Sequence, residues 1–205
     1  VGQRLSLERE MRVAIENGEF RPYFQPKIHL SADRIEGCEA LARWIRTDDT
    51  IVSPARFIPV AEEAGLIGPL SDAIMQEACW KAAAWARGGR AVKVAVNISA
   101  VQFRDPHFAK RVLHTLGAAG LAADLLELEI TESTMMADSE AALRAIAPLR
   151  EAGVRFAIDD FGCGHSSLAV LARLPFDVIK IDQQFVRALA RGEPQSGAIV
   201  EAILA

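Results

Sequence analysis

Apolar and polar positions change their period repeatedly along this chain. Leu7, Met11, Ala14 and Ile15 recur at helical spacing among charged residues, which predicts a lead-in helix over 6–17 with Ser6 at its N-cap and Gly18 as its stop. Phe20 to Leu30 and Arg34 to Trp44 then read as two strands, with Pro22 and Pro26 limiting the pairing of the first. Ser53-Pro54 opens a helix that runs to Gly65 with proline at its first position, and Pro69 to Arg87 is a longer, alanine-rich helix stopped by Gly88-Gly89. Val92 to Ile98 is mostly apolar, the composition of a strand covered on both faces of a parallel sheet.

The same alternation continues to the end. Asp105-Pro106 starts a helix that Gly117 and Gly120 close, and Leu125 to Thr131 is the next strand. Asp138 caps a helix through Glu151 in which Pro148 predicts a kink or an early end, and Gly153 closes it. Val154 to Ile158 reads as a strand, Ser166 to Leu174 as a short helix, Asp177 to Ile181 as a strand, and Gln183 to Arg191 and Pro194 to Ala205 as helices. Short glycine-containing joints between strand and helix are the mark of βα units on a parallel sheet, either a closed barrel or an open doubly wound one. No Gly-x-Gly-x-x-Gly follows a strand, which counts against a dinucleotide fold. A barrel of eight units runs to about 250 residues, so 205 residues suit roughly six strands of one.

Composition narrows the function classes. With 51% hydrophobic and 24% charged residues the sequence is that of a globular domain, and no apolar run approaches the roughly 18 residues of a membrane span. A net charge of −4 argues against tracking a nucleic-acid polymer, whose phosphates are held by clustered Lys and Arg. Cys38, Cys79 and Cys163 are odd in number and far apart, which fits a reducing compartment, so a cytoplasmic location is expected. His29, His107, His114 and His165 show no tight ligand spacing. The chain does not begin with Met, and residues 1–18 are expected to lead in from an upstream region, with the domain proper over 19–205.

The chemistry gathers where strands end. In βα sheets the site lies at the carboxyl ends of the strands, and here successive strands deliver Glu39, Asn97, Glu129, the pair Asp159-Asp160, and Lys180. Each has a plain alternative: Glu39 with Arg43 as an exposed pair, Asn97 as a turn cap, Glu127 and Glu129 as a solvated face, Asp159-Asp160 as a turn and helix cap, Lys180 with Asp182 as a surface ion pair. Together the plain readings fare worse, because Asn97, Glu129 and Lys180 interrupt otherwise apolar strands. Carboxylates facing one mouth repel unless cations neutralise them, and oxygen-only ligands suit Mg²⁺ or Mn²⁺.

The motifs, in order, resemble the EAL domain family of cyclic di-GMP phosphodiesterases: Gln25-Pro26, Glu39-Ala40-Leu41 with Arg43, Phe57-Ile58-Pro59 with Ala61-Glu62, Asn97-Ile98-Ser99, Glu129-Ile130-Thr131-Glu132, Asp159-Asp160-Phe161-Gly162 and Lys180-Ile181-Asp182. The resemblance implies a modified TIM (β/α)8-type barrel with its first strand antiparallel, here truncated after about six strands, and hydrolysis of cyclic di-GMP to linear pGpG. It implies Glu39, Asn97, Glu129 and Asp159 as ligands of a first Mg²⁺ or Mn²⁺ and Asp160 at a second. Lys180 would orient or activate water, with Glu39 and Asp159 also counted as catalytic. Gln25, Leu41 and Arg43 would contact substrate, and Glu132 would steady the loop after Asp160. A homodimer and upstream sensory or GGDEF domains in the parent chain are further family expectations.

Two departures bear on activity. Cys163 and His165 stand where the family more often has Thr and Tyr. The family pattern also continues past Ala205 into two more βα units carrying a Glu and a Gln of the site. The alternatives to hydrolysis are a catalytically inactive cyclic di-GMP receptor and a regulatory interaction domain.

Overall fold

The computed structural model describes residues 2–137, 139–162, 176–192 and 200. A single curled sheet organises them. Strands β1 (Phe20–His29), β2 (Arg34–Ile45), β4 (Lys93–Ile98), β5 (Leu126–Thr131), β6 (Arg155–Phe161) and β7 (Val178–Ile181) are neighbours in that order, and the short β3 (Ile51–Val52) pairs with the end of β2. β1 runs antiparallel to β2, whereas β2, β4, β5, β6 and β7 are parallel to their neighbours. The sheet forms a half-barrel, as expected for a barrel with an inverted first strand that stops after about six strands on the main path.

Helices cover the convex face. They are α1 (Gly2–Glu16), α2 (Pro54–Glu63), α3 (Ile67–Arg87), α4 (Ala100–Phe103), α5 (Phe108–Ala119), α6 (Glu132–Ala137), α7 (Ser139–Glu151) and α8 (Gln183–Ala190). Strand alternation sends Val94, Val96 and Ile98 of β4, Leu126, Leu128 and Ile130 of β5, and Phe156 of β6 outward into one core with Ala78, Cys79 and Ala82 of α3. A second core joins α1 to the barrel: Leu7, Met11 and Ala14 pack with Phe20, Trp44 and Phe57. There the Phe20 and Trp44 rings stack with centroids 5.3 Å apart, and Phe57 meets Phe20 edge-on at the same distance.

Several local expectations are corrected. α1 starts before Ser6, whose hydroxyl donates to Glu10 Oε1 at 3.0 Å from inside the helix instead of capping it. Pro22 and Pro26 leave the ladder unbroken, opposite Ala42 and Cys38, because β1 is the edge of the described path and proline's missing N–H is tolerated there. The structure adds α4, which the Ser99–Gln102 capping box starts, whereas Asp105, the expected cap of the following helix, accepts the His107 N–H at 2.8 Å ahead of α5. Gly117 lies within α5, and Gly120, at φ 67°, ends it. α7 continues through Pro148 to Glu151 and does not end early there. β6 extends to Phe161, carrying the acid pair inside the strand. The helices expected at Ser166–Leu174 and Pro194–Ala205, and the cap at Asp138, lie outside the described residues, apart from residue 200, which is helical.

Candidate active site

Register places the inward-facing residues at matching heights. Asn97 of β4 sits opposite Glu129 of β5, and Thr131 opposite Asp159 of β6, while Glu39 of β2 faces the small Ala95 of β4. Barrel curvature then brings together acids that the flat sheet would separate. Carboxylate oxygens of Glu39, Glu129 and Asp159 all lie within 4.8 Å of one another. The Asn97 amide donates to Glu39 Oε1 at 2.8 Å. Three carboxylates from three strands, with oxygen donors only, fit a hard divalent cation.

Lys180 of β7 is the counter-charge of this cluster. Its Nζ donates to Glu129 Oε2 at 2.5 Å, Asp159 Oδ2 at 2.9 Å and Glu39 Oε2 at 3.1 Å. Burial works to lower the Lys180 pKa, but the attraction of Glu129, Asp159 and Glu39 carries it above the ordinary lysine value. Burial likewise works to raise Glu39, and the charge of Lys180 with the Asn97 hydrogen bond holds it below the ordinary carboxylate value. For Glu129, whose side chain has no exposed surface, desolvation is the larger effect and its pKa goes up despite two ammonium neighbours.

The second of those neighbours is Lys27, which sequence reading passed over. Its Nζ donates to Glu127 Oε1 at 2.8 Å and Glu129 Oε1 at 2.6 Å. Glu127, one candidate for a solvated strand face, is only 5% exposed. The signal was present in the strand period: Glu127 and Glu129 share a face of β5, as Gln25 and Lys27 do on β1.

Asp160 points elsewhere. At φ 53° it leaves the inward row, and β6 shifts register against β7 between Ile158 and Phe161. Its carboxyl lies beside that of Asp182, and burial together with the charges of Asp159 and Asp182 raises its pKa. Asp182 also N-caps α8, accepting the Gln184 N–H at 2.6 Å. Glu132, buried at the start of α6, accepts the Gly162 N–H at 3.0 Å and so ties the turn after β6 to the end of β5.

Two cavities adjoin the acid cluster. One of about 330 Å³ is lined by Gln25, Lys27, Glu39, Glu127 and Lys180 among others, so Gln25 stands beside the cluster. The other, about 320 Å³, is lined by Leu41, Arg43, Glu62, Asn97, Ser99 and Thr131. Arg43 donates to the Ala42 carbonyl at 2.8 Å and lies 5.8 Å from the centroid of the Tyr23 ring. Cys163 and His165 lie outside the described residues.

Comparison with known families matches the EAL domain over residues 8–205. The chain belongs to the EAL domain family. Among its relatives is the bifunctional diguanylate cyclase/cyclic di-GMP phosphodiesterase MucR of Pseudomonas aeruginosa, 38% identical over 99% of this chain and 30% of that protein. Another is the cyclic di-GMP phosphodiesterase NbdA of the same organism, 36% identical over 99% of this chain and 26% of that protein. An uncharacterized protein of Sinorhizobium fredii is 43% identical over 98% of this chain. The EAL chain spans about a quarter of the length of the curated relatives it matches first. In three dimensions it superposes on the MucR phosphodiesterase in complex with cyclic di-GMP with a TM-score of 0.90 at 38% identity, covering 97% of this chain and 80% of that one. The FimX EAL domain from Pseudomonas aeruginosa bound to cyclic di-GMP gives 0.86 at 26% identity over 98% and 79% of the two chains. Among the described residues no helix is long and apolar enough to cross a membrane.

Proposed function

We propose that this EAL domain hydrolyses cyclic di-GMP to linear pGpG with divalent cations, Mg²⁺ or Mn²⁺. The observation that carries the reading is the convergence of Glu39, Glu129 and Asp159 from three separate strands to within 4.8 Å. These three would hold a first ion with Asn97 beside Glu39, and Asp160, turned toward Asp182, would take part in holding a second. Such ions, when bound, supply Lewis-acid polarisation of the phosphodiester and acidify the attacking water.

The chain's own groups account for the remaining tasks. Lys180, cationic among the acids, orients the attacking water and stabilises charge on the phosphate as it develops. Water oxygen bonds to phosphorus, the bond from phosphorus to the 3′ oxygen breaks, and that oxygen takes up a proton to leave a 3′-hydroxyl and a 5′-phosphate. Arg43, Leu41 and Gln25, lining the cavities beside the cluster, contact the dinucleotide. Glu132 fixes the turn at Gly162 and thereby the end of the strand bearing Asp159 and Asp160.

The test is product analysis with the purified full-length protein and Mn²⁺ or Mg²⁺. Conversion of cyclic di-GMP to pGpG that vanishes in Asp159→Asn is the expected result. Tight binding of cyclic di-GMP without conversion would assign a receptor role instead.

A further inference from the structure

Lys27 lies on β1, the antiparallel edge strand, yet its ammonium ends at β5. Two intervening strands are crossed on the inner side of the curved sheet, and the residues in register there are small. Gly37 of β2 is opposite Lys27, and Ala95 of β4 is opposite Glu127.

The consequence is a division of Glu129's two oxygens. Oε1 accepts from Lys27 at 2.6 Å, and Oε2 accepts from Lys180 at 2.5 Å beside Asp159 and Glu39. A carboxylate held by a different ammonium on each oxygen cannot rotate without breaking a charge-assisted hydrogen bond, and the Glu129 side chain has no exposed surface from which water could replace one. Glu127, 7% exposed at its side chain, is the other acceptor of Lys27 and fixes the lysine in turn.

The geometry points to Lys27 as a positioning residue that holds the outer oxygen of Glu129, with Glu127 as its anchor, so that the inner oxygen is presented to a divalent cation shared with Glu39 and Asp159. This rests on the cation-dependent reading above. Partners of this kind, one shell removed from an ion, set the orientation of its ligands, and their loss costs about 10–100-fold in metal affinity. The competing role for Lys27 is neutralisation of Glu127 alone.

The two roles separate in the full-length protein by calorimetric titration with Mn²⁺. Lys27→Met alone would strand a buried Glu127, so the informative pair is Glu127→Leu and the double variant Lys27→Met/Glu127→Leu, which replaces both charges with apolar groups of similar volume. Glu127→Leu keeps Lys27 on Glu129 and is expected to bind Mn²⁺ within about threefold of the wild type, whereas the double variant is expected to bind about 10–100-fold more weakly with a thermal midpoint close to that of the single variant. Saturating Mn²⁺ should restore turnover of cyclic di-GMP in the double variant with its KM unchanged. Equal Mn²⁺ affinity in the single and double variants would overturn the positioning role, as would an equal loss in both. Should the double variant not fold, Lys27→Gln makes the same test, since it takes the ammonium away from Glu129 and leaves only an uncharged donor on a side chain one atom shorter; unchanged Mn²⁺ affinity there would overturn the proposal. Wild-type protein that binds Mn²⁺ without hydrolysing cyclic di-GMP would overturn only the hydrolase reading, and the binding comparison still decides the part played by Lys27. Failure of the wild type to bind Mn²⁺ would overturn both.

Discussion

Lys180 on β7 and Glu129 on β5 meet at 2.5 Å across the intervening β6. The same ammonium reaches Asp159 and Glu39, so it touches every carboxylate of the proposed cation site. It therefore competes with a cation for those oxygens while serving the reaction beside them. Lys180→Met is expected to bind Mn²⁺ at least as tightly as the wild type yet to lose about 10²–10⁴-fold in turnover. Calorimetry with Mn²⁺ and chromatography of pGpG on the same samples measure the two effects; a parallel loss of both would place Lys180 in a structural role.

Glu39 is linked to the cluster through both Lys180 and Asn97. Glu39→Ala removes a proposed ligand and leaves the Asn97 amide without its acceptor. Mn²⁺ affinity should fall by more than the roughly 10–100-fold that outer partners cost, and turnover with it. Unchanged activity in Mg²⁺ would remove Glu39 from the site.

Gly162 carries the turn at the end of β6. Its φ is 97°, and a Cβ there would lie 2.7 Å from Cε2 of Phe185 in α8. Gly162→Ala combines backbone strain with that clash, so a loss of about 1–3 kcal/mol is expected in urea denaturation. Phe185→Ala in the same chain should recover the part due to the clash and leave the part due to φ.

Cys38 and Cys79 are buried thiols whose pKa values are pushed from 9.0 up to about 11 and about 12 by desolvation. A group whose neutral form is favoured in the fold contributes stability that is fully present below its unfolded pKa, here 9.0, and is lost as pH rises through the folded values. In a Cys163→Ser background neither thiol should react with a thiol reagent at pH 8 until denaturant is added. Urea stability should fall between pH 8 and pH 11, and fall less in Cys79→Ala.

The order of strands and helices was legible because apolar period is a local property: Val94, Val96 and Ile98 alternate in the sequence as they do in the core. So were the polar interruptions at strand ends, since Glu129 and Lys180 stand out against apolar neighbours. Errors fell where a local signal had a tertiary answer. Pro22 and Pro26 are harmless because β1 is an edge among the described strands, and Ser6 is no cap because Leu7, Met11 and Ala14 pack a longer α1 onto Trp44 and Phe57.

By itself the sequence determined that βα units on a parallel sheet carry acids at the ends of several strands, since strand period and burial depend on near neighbours; the inverted first strand was implied only by the resemblance to the EAL family. Only the tertiary structure decided which oxygens meet. Sheet curvature closes Glu39, Glu129 and Asp159 to within 4.8 Å and lets Lys27 reach Glu129 from 102 positions away, while the register shift of β6 at Asp160 sets that residue beside Asp182. Electrostatic attraction in a buried space acts through distance in three dimensions, and that distance is set by closure of the sheet, which no local pattern encodes.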